Sequence, residues 1–334
     1  MHYVYVLVLA VKSEIEMKNK SLVFWLLGVV ATVAIAAQIA PPIRGDWTAE
    51  QVAKNVYVIH GPLGNPSPEN QGFMNNPAFV VGPEGVVVID PGGTVQTGHL
   101  LMKHLKATTD KPVVAVIDTH IHGDHWLGNQ AVREAYPEVP IYGHPRLVSR
   151  VKAGADIEWL SLMHELTHKA SEGTVAIPPE KEIQDGDRLK LAGLTFEVMH
   201  VDKSHTDSDL MLYIPELETV FTGDNVGNNR ILRIDQGSFK GNMDAIAKLL
   251  ELPAKTFVPG HGRSGGREVP ENYLKYMQTV YKEVEAAFEE GKPDYEVRPT
   301  LMPKLSAWKD WDGFGDTVGG HINTSYLEIE AAAF

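Results

Sequence analysis

Between Thr119 and Asn129 the chain reads Thr119-His120-Ile121-His122-Gly123-Asp124-His125-Trp126-Leu127-Gly128-Asn129, with three histidines and an aspartate inside six residues. A folded core seldom needs such crowding of titratable, metal-binding side chains, and it marks a site. In extended backbone, alternate side chains point the same way, so His120 and His122 can converge on one ion. Asp124 and His125 follow where the chain turns, placed to serve a second ion a few ångströms away. The chain contains no cysteine. A metal site in it must therefore be built from His and carboxylates, a donor set that suits zinc, manganese or iron.

The elements that must position this cluster are legible around it. An apolar, β-branched run over Pro112–Asp118 predicts the buried strand that feeds it. Upstream, Asn55–His60 and Gly72–Val81 read as strands. Val86–Ile89 pairs with the end of the second across the turn Gly82-Pro83-Glu84-Gly85. That strand runs into Asp90-Pro91-Gly92-Gly93, and Val95–Ala107 has helical spacing. Downstream, Gly128–Tyr136 predicts a helix and Val139–Tyr142 a short strand. Residues 145–182 are less regular, with Trp159, Leu160 and Met163 predicting a packed helix whose His164 and His168 face solvent, or else a wall over the pocket. Strands follow over Arg188–Leu191 and Thr195–His200. Three single residues then stand at strand ends: His205 before Leu210–Pro215, Asp224 after Thr219–Thr222, and His261 after Thr256–Val258. Each is flanked by Gly, Ser or Pro, as backbone turning into a site would be.

Taken together, His120-x-His122-x-Asp124-His125 with His205, Asp224 and His261 resembles the metallo-β-lactamase-fold hydrolases over about residues 50–265. The resemblance implies an α/β fold, a four-layer αββα sandwich of two mixed β-sheets. It implies that His120, His122 and His205 hold one metal, that Asp124, His125 and His261 hold a second, and that Asp224 bridges both. Asp90, at the end of Val88-Ile89-Asp90, matches the acidic residue that supports the site from behind. The expected cofactor is two zinc ions, with iron or manganese as alternatives. Two cations sharing a carboxylate lower the pKa of a water they hold, so that a hydroxide exists near neutral pH. Asp124 is the residue expected to orient that water or pass on its proton. The bridging aspartate resembles the glyoxalase II and lactonase branches more than the antibiotic-hydrolysing ones. Trp126, Trp159, His321 and Asn323 are the candidate substrate-pocket residues. For His321 and Asn323 the plainer reading is the capped start of a surface helix.

The whole chain sets further bounds. At 334 residues it can bury a sizeable core. A formal net charge of −13 argues against a nucleic-acid partner. Lys18 and Lys20 precede an uncharged, mostly apolar run over Ser21–Ala37 that ends in Ala34-Ile35-Ala36-Ala37. This pattern predicts a cleaved signal peptide over 1–37 or an uncleaved membrane anchor, and either way a periplasmic or secreted body. A linker over 38–50, a catalytic domain over 51–268 and a helical extension over 269–334 complete the expected organisation. Within the extension, Leu274, Met277, Tyr281, Val284 and Phe288 predict an amphipathic helix over Pro270–Glu290. The expected function is an exported dinuclear zinc hydrolase acting on a small ester-like, thioester, lactone or lactam substrate. The alternatives are an antibiotic-hydrolysing β-lactamase, a mononuclear iron dioxygenase of sulfur compounds, and a non-catalytic metal-binding accessory protein.

Overall fold

Two sheets organise the computed structural model, which describes residues 41–334; the expected export segment lies outside the described residues. The first sheet contains β1 (Glu50–Ala53), β2 (Val56–Val58), β3 (Ala78–Val81), β4 (Val86–Ile89), β5 (Val113–Ile117), β6 (Ile141–Gly143) and β7 (Lys181–Glu182), in sequence order across the sheet. The second contains β8 (Arg188–Leu191), β9 (Leu194–Met199), β10 (Met211–Ile214), β11 (Thr219–Gly227) and β12 (Thr256–His261). Its spatial order is β12-β11-β10-β9-β8. Both sheets are mixed. Pairing is antiparallel from β1 to β4 and parallel from β4 to β7. In the second it is antiparallel from β8 to β11, with β12 parallel to β11.

Alternation along the strands sets the layers. Val87 and Ile89 face Leu212, Ile214, Phe221 and Val258 in the core between the sheets. Their neighbours Val86 and Val88 turn the other way, onto Leu101 and Leu105 of the helix Val95–Thr108. On the far sheet Met211, Tyr213, Val220 and Phe257 pack outward against the helices Phe239–Leu250 and Glu268–Glu289. Burying each such aliphatic or aromatic side chain stabilises the fold by about 1.5–3 kcal/mol. The result is the helix–sheet–sheet–helix sandwich that the resemblance implies. The C-terminal helix Phe314–Ala333 adds Val318, Ile322 and Ile329 to the same outer core.

Several local expectations change. Residues 72–77, expected as strand, turn away from the sheet, with Gln71 at φ 57° and Gly72 at φ 78°. The amide of Asn76 instead donates to the carbonyls of Pro259 and Gly262, tying this segment to the loop that holds His261. β1 and β7 were not expected: each is short and carries no run of apolar residues. Asp124 and His125 lie on a one-turn helix, Gly123–Trp126, rather than in a loop. β11 continues through Asp224 to Gly227, so that aspartate sits within a strand. The amphipathic helix spans Glu268–Glu289, and its buried stripe includes Tyr273, Tyr276 and Val280 besides the expected Met277 and Val284.

Candidate metal centre

His120 and His122 follow β5, and Asp124 and His125 occupy the short helix after it. His205 comes from the turn before β10, Asp224 from β11 and His261 from the end of β12. Strand ends of both sheets thus converge on one point, where a rigid scaffold can hold side chains to a fixed geometry. His120, His122, His205 and Asp224 present donor atoms all within 4.8 Å of one another, and Asp124, His125 and His261 form a second such group. His205 Nε2 lies 3.1 Å from His122 Nδ1. In the other group His125 Nε2 lies 3.3 Å from His261 Nε2, and Asp124 Oδ2 lies 3.4 and 3.2 Å from those two nitrogens. Asp224 stands between the groups, 3.6 Å from His205 Nε2, 3.2 Å from His261 Nε2 and 3.4 Å from His125 Nε2.

These spacings suit cations. Two donors each about 2.0–2.1 Å from one tetrahedral zinc stand roughly 3.3 Å apart. Two of the inward atoms, His120 Nε2 and Asp224 Oδ1, are buried with no hydrogen-bond partner among the described residues. A buried polar atom without a partner is costly, and a bound cation would satisfy both. The donor set is imidazole and carboxylate only, which fits a divalent transition metal.

Residues behind the centre orient the donors. Asp90 closes β4 at φ 48°, a left-handed conformation that Asp tolerates better than most. Its carboxylate accepts from the Thr119 backbone N–H at 2.8 Å, the Thr119 hydroxyl at 2.8 Å and His125 Nδ1 at 2.9 Å. With its hydroxyl proton given to Asp90, Thr119 accepts from His120 Nδ1 at 3.0 Å. His261 Nδ1 donates to the Met74 carbonyl at 2.8 Å. In their neutral form all three imidazoles thereby keep the proton on Nδ1 and direct a free Nε2 at the centre. Gly260 leaves the necessary space: a Cβ there would collide with Asp224 Oδ1 and lie 2.9 Å from His125 Cε1.

The electrostatics of the metal-free centre divide in two. Burial pushes the His120, His122 and His205 imidazoles down, His122 to about 4. Burial works against the charged forms of Asp124 and Asp224, yet His125 and His261 beside them hold both carboxyls well below the usual range. Burial likewise opposes protonation of His125 and His261, but Asp224 and its neighbours push both up. Protons there answer a negative potential that a cation would answer better.

A cavity of about 480 Å³ opens over the donors. Trp159, Leu162, Met163 and Leu166 of the helix Asp156–Leu166 form one side, so this helix is a wall over the centre. Trp159 lies against His122, with ring centroids 5.1 Å apart. Arg230 and Arg233 lie on the rim. Arg230 is buried, its guanidinium donating to the Gly64 carbonyl at 2.7 Å. Sequence reasoning missed it, although only uncharged residues, Asn225 to Asn229, separate it from Asp224.

Three of the four pocket residues expected from sequence are placed elsewhere. Trp126 is fully buried in a satellite core with Ile121, Leu127 and Leu147, and its indole donates to the Ile121 carbonyl at 2.9 Å. It faces inward because the one-turn helix directs its neighbours Asp124 and His125 to the centre. His321 is buried within the C-terminal helix, which begins seven residues earlier than the expected cap. It accepts from the Tyr276 hydroxyl and donates to the Leu232 carbonyl, both at 2.9 Å. It lines a neighbouring cavity of about 310 Å³ with Asp316, Thr317 and Gly320. Asn323 is exposed and donates to Asp294 at 2.9 Å. Trp159 alone of the four lines the cavity over the donors.

An αββα sandwich with a divalent-metal donor set at its strand ends defines a class of hydrolase scaffold. Residues 71–261 match the profile of the metallo-beta-lactamase superfamily, and the chain belongs to that family. It is 26% identical over 231 residues to a linear primary-alkylsulfatase of Pseudomonas sp. (strain ATCC 19151), covering 59% of this chain and 43% of that protein. It is 27% identical over 175 residues to a hydroxyacylglutathione hydrolase of Nostoc punctiforme, covering 51% of this chain and 56% of that one. The chain thus spans about half the length of these two relatives. Among solved structures, the sec-alkylsulfatase Pisa1 from Pseudomonas sp. superposes with a TM-score of 0.66 at 16% identity, covering 84% of this chain and 50% of that one. A metallo-beta-lactamase from Pontibacter korlensis superposes with a TM-score of 0.53 at 21% identity, covering 70% and 99%. These two likenesses speak to the fold. By name, these relatives and fold neighbours are hydrolases.

Proposed function

We propose that the chain is an exported dinuclear zinc hydrolase acting on a small ester-like, thioester, lactone or lactam substrate. The carrying observation is the convergence of two donor groups on one shared carboxylate, Asp224. His120, His122 and His205 would hold one ion and Asp124, His125 and His261 the other. Bound there, the ions would supply Lewis acidity and a water of lowered pKa. Asp124, which lines the cavity, would orient the attacking water or hand on its proton. The wall from Trp159 to Leu166 keeps bulk water away from the substrate's apolar part. No nucleophilic side chain is required of the protein. Export is supported by the uncharged run Ser21–Ala37 and its alanine-rich end. Intact-mass measurement of the protein from the periplasm or medium tests it, and a start upstream of that end argues against cleavage.

Hydrolysis of a sulfate ester is a second reading. The alkylsulfatase relative names that bond, and Arg230 supports it with a rigid guanidinium at the cavity rim. Metal analysis followed by a panel of carboxylic esters, thioesters, lactones, lactams and alkyl sulfates decides between the readings. The proposal expects two zinc ions per chain and turnover of at least one class. In Asp224→Ala, zinc content should fall to one ion or fewer. Two ions retained in that variant would contradict the bridge, and metal without turnover on any class would favour an accessory role. Oxygen uptake with a persulfide and a single bound iron would favour the dioxygenase.

A further inference from the structure

Behind the rings of His120, His125 and His261 stand the Thr119 hydroxyl, the Asp90 carboxylate and the Met74 carbonyl. His205 has no such support. Its Nε2 turns toward His122 and Asp224, and its Nδ1 is buried with no hydrogen-bond partner among the described residues. The ring can go only where its backbone carries it. That backbone lies in a turn over Ser204–Asp209, and one carboxylate closes the turn on both sides of the histidine. Asp209 Oδ2 accepts from the Ser204 hydroxyl and from the Thr206 backbone N–H, both at 2.6 Å. Oδ1 accepts from the Thr206 hydroxyl at 2.7 Å. Because every partner donates, the carboxylate acts as the acceptor-only ionised form, and bonds this short are charge-assisted. Ser204, Thr206, Ser208 and Asp209 are all buried. The arginines that reach this loop, Arg146 and Arg150, pair with Asp202 and Asp207 instead. Burying a carboxylate without a cation is costly, and the three bonds offset that cost here.

The same turn is tied to the backbone that follows β5 in the other sheet. Ser208 Oγ accepts from the Ile121 N–H at 3.1 Å, and the Leu210 N–H donates to the Thr119 carbonyl at 2.8 Å. Having given its proton to Asp209, the Thr206 hydroxyl accepts from the Ser208 hydroxyl at 3.1 Å. A continuous chain of bonds therefore runs from Asp209 through Thr206 and Ser208 to the Ile121 N–H, between His120 and His122.

From this arrangement we infer that Asp209 is a positioning residue: it fixes where His205 stands relative to His120 and His122, and so sets how tightly those three histidines hold an ion. The inference rests on the metal-centre reading above. It goes beyond that reading because Asp209 bonds to the neighbours of His205 and to none of the seven donor side chains. Groups that orient a metal ligand from outside the donor set are worth about tenfold to a hundredfold in affinity, and a loss in that range is expected here.

The test uses the full chain, labelled with 15N-histidine, stripped with a chelator and titrated with zinc chloride. Chelator competition gives the constants, and long-range proton–nitrogen spectra follow each imidazole. Asp209→Ala should weaken one of the two zinc constants by about tenfold to a hundredfold and leave the other unchanged. At saturating zinc its His205 signals should be displaced from those of the parent, while His125 and His261 keep theirs. Asp209→Asn retains one oxygen for the Ser204 hydroxyl and the Thr206 N–H, so its loss should be smaller than that of Asp209→Ala. Thr206→Val cuts only the hydroxyl link and should show the same split more weakly; it decides the matter where Asp209→Ala fails to fold. A residue that merely packs the loop would lower the urea midpoint of the metal-free chain and leave both constants at the parent's values, or would weaken both alike. Either result would overturn the role of Asp209 while leaving a two-metal centre standing. A parent chain that binds no zinc would bring down the centre and this inference with it.

Discussion

Asp90→Asn isolates what the residue behind the centre does. The exchange keeps the shape, and Asn tolerates the left-handed backbone at φ 48° as readily as Asp does, so the fold should be undisturbed. What changes is the number of acceptors. Asp90 receives the Thr119 N–H, the Thr119 hydroxyl and His125 Nδ1–H. An amide has one oxygen, and leaving it on the Thr119 N–H turns the NH₂ toward the hydroxyl and His125. The hydroxyl can rotate to accept. His125 can accept only by moving its proton to Nε2, the atom that faces Asp124 and His261, and a protonated Nε2 is no metal ligand. A hydrogen bond to a charged group contributes about 1.5–3 kcal/mol. As binding this is roughly tenfold to a hundredfold, which matches the usual effect of removing such a support. Zinc affinity of the Asp124/His125/His261 half should therefore fall by roughly ten- to a hundredfold. Chelator competition measures the fall, and imidazole nitrogen shifts report whether His125 has changed tautomer. An unchanged constant with the proton still on His125 Nδ1 would refute the reasoning.

Gly260→Ala should cost the centre its metal without unfolding the chain, because the added methyl meets Asp224 and His125 before it meets anything else. Zinc content beside a circular-dichroism spectrum checks it. His321 is buried and neutral, its pKa pushed down by burial to about 4 from 6.5. Above pH 6.5 the ring is neutral folded and unfolded, and stability is whole. As pH falls, the unfolded chain takes up the proton first, so about 3 kcal/mol is lost between pH ~6.5 and ~4. Urea denaturation at several pH values should show a shallower acid slope for His321→Gln than for the parent, and parallel slopes would count against the assignment. Trp126→Phe removes the bond to the Ile121 carbonyl and some packing, lowering stability by about 1–2 kcal/mol while substrate KM stays unchanged. A shifted KM would return Trp126 to the pocket.

What could be read from the sequence follows the reach of each signal. The donor residues were legible because metal chemistry restricts side-chain type, and turning backbone restricts the neighbours to Gly, Ser and Pro. His205, Asp224 and His261 were faint singly and became specific only in combination with the cluster at His120–His125. The layers were legible because Val86–Ile89 and Leu210–Pro215 are apolar on both faces, which only a strand covered on both sides needs. Trp126 and His321 were misplaced for one shared reason: sequence distance from a site does not fix the direction of a side chain. Trp126 adjoins His125 in the chain yet points 100° round a helix turn, into the core. His321 was expected at a helix start, but Gly313 caps that helix earlier, leaving His321 in its middle. The supports were illegible for a further reason. Asp90 and Thr119 act through hydrogen bonds to other strands, and the Met74 carbonyl has no side-chain signature at all. That hidden tier makes the two halves of the centre unlike each other, although the ligand pattern alone shows three donors on each side of a shared aspartate.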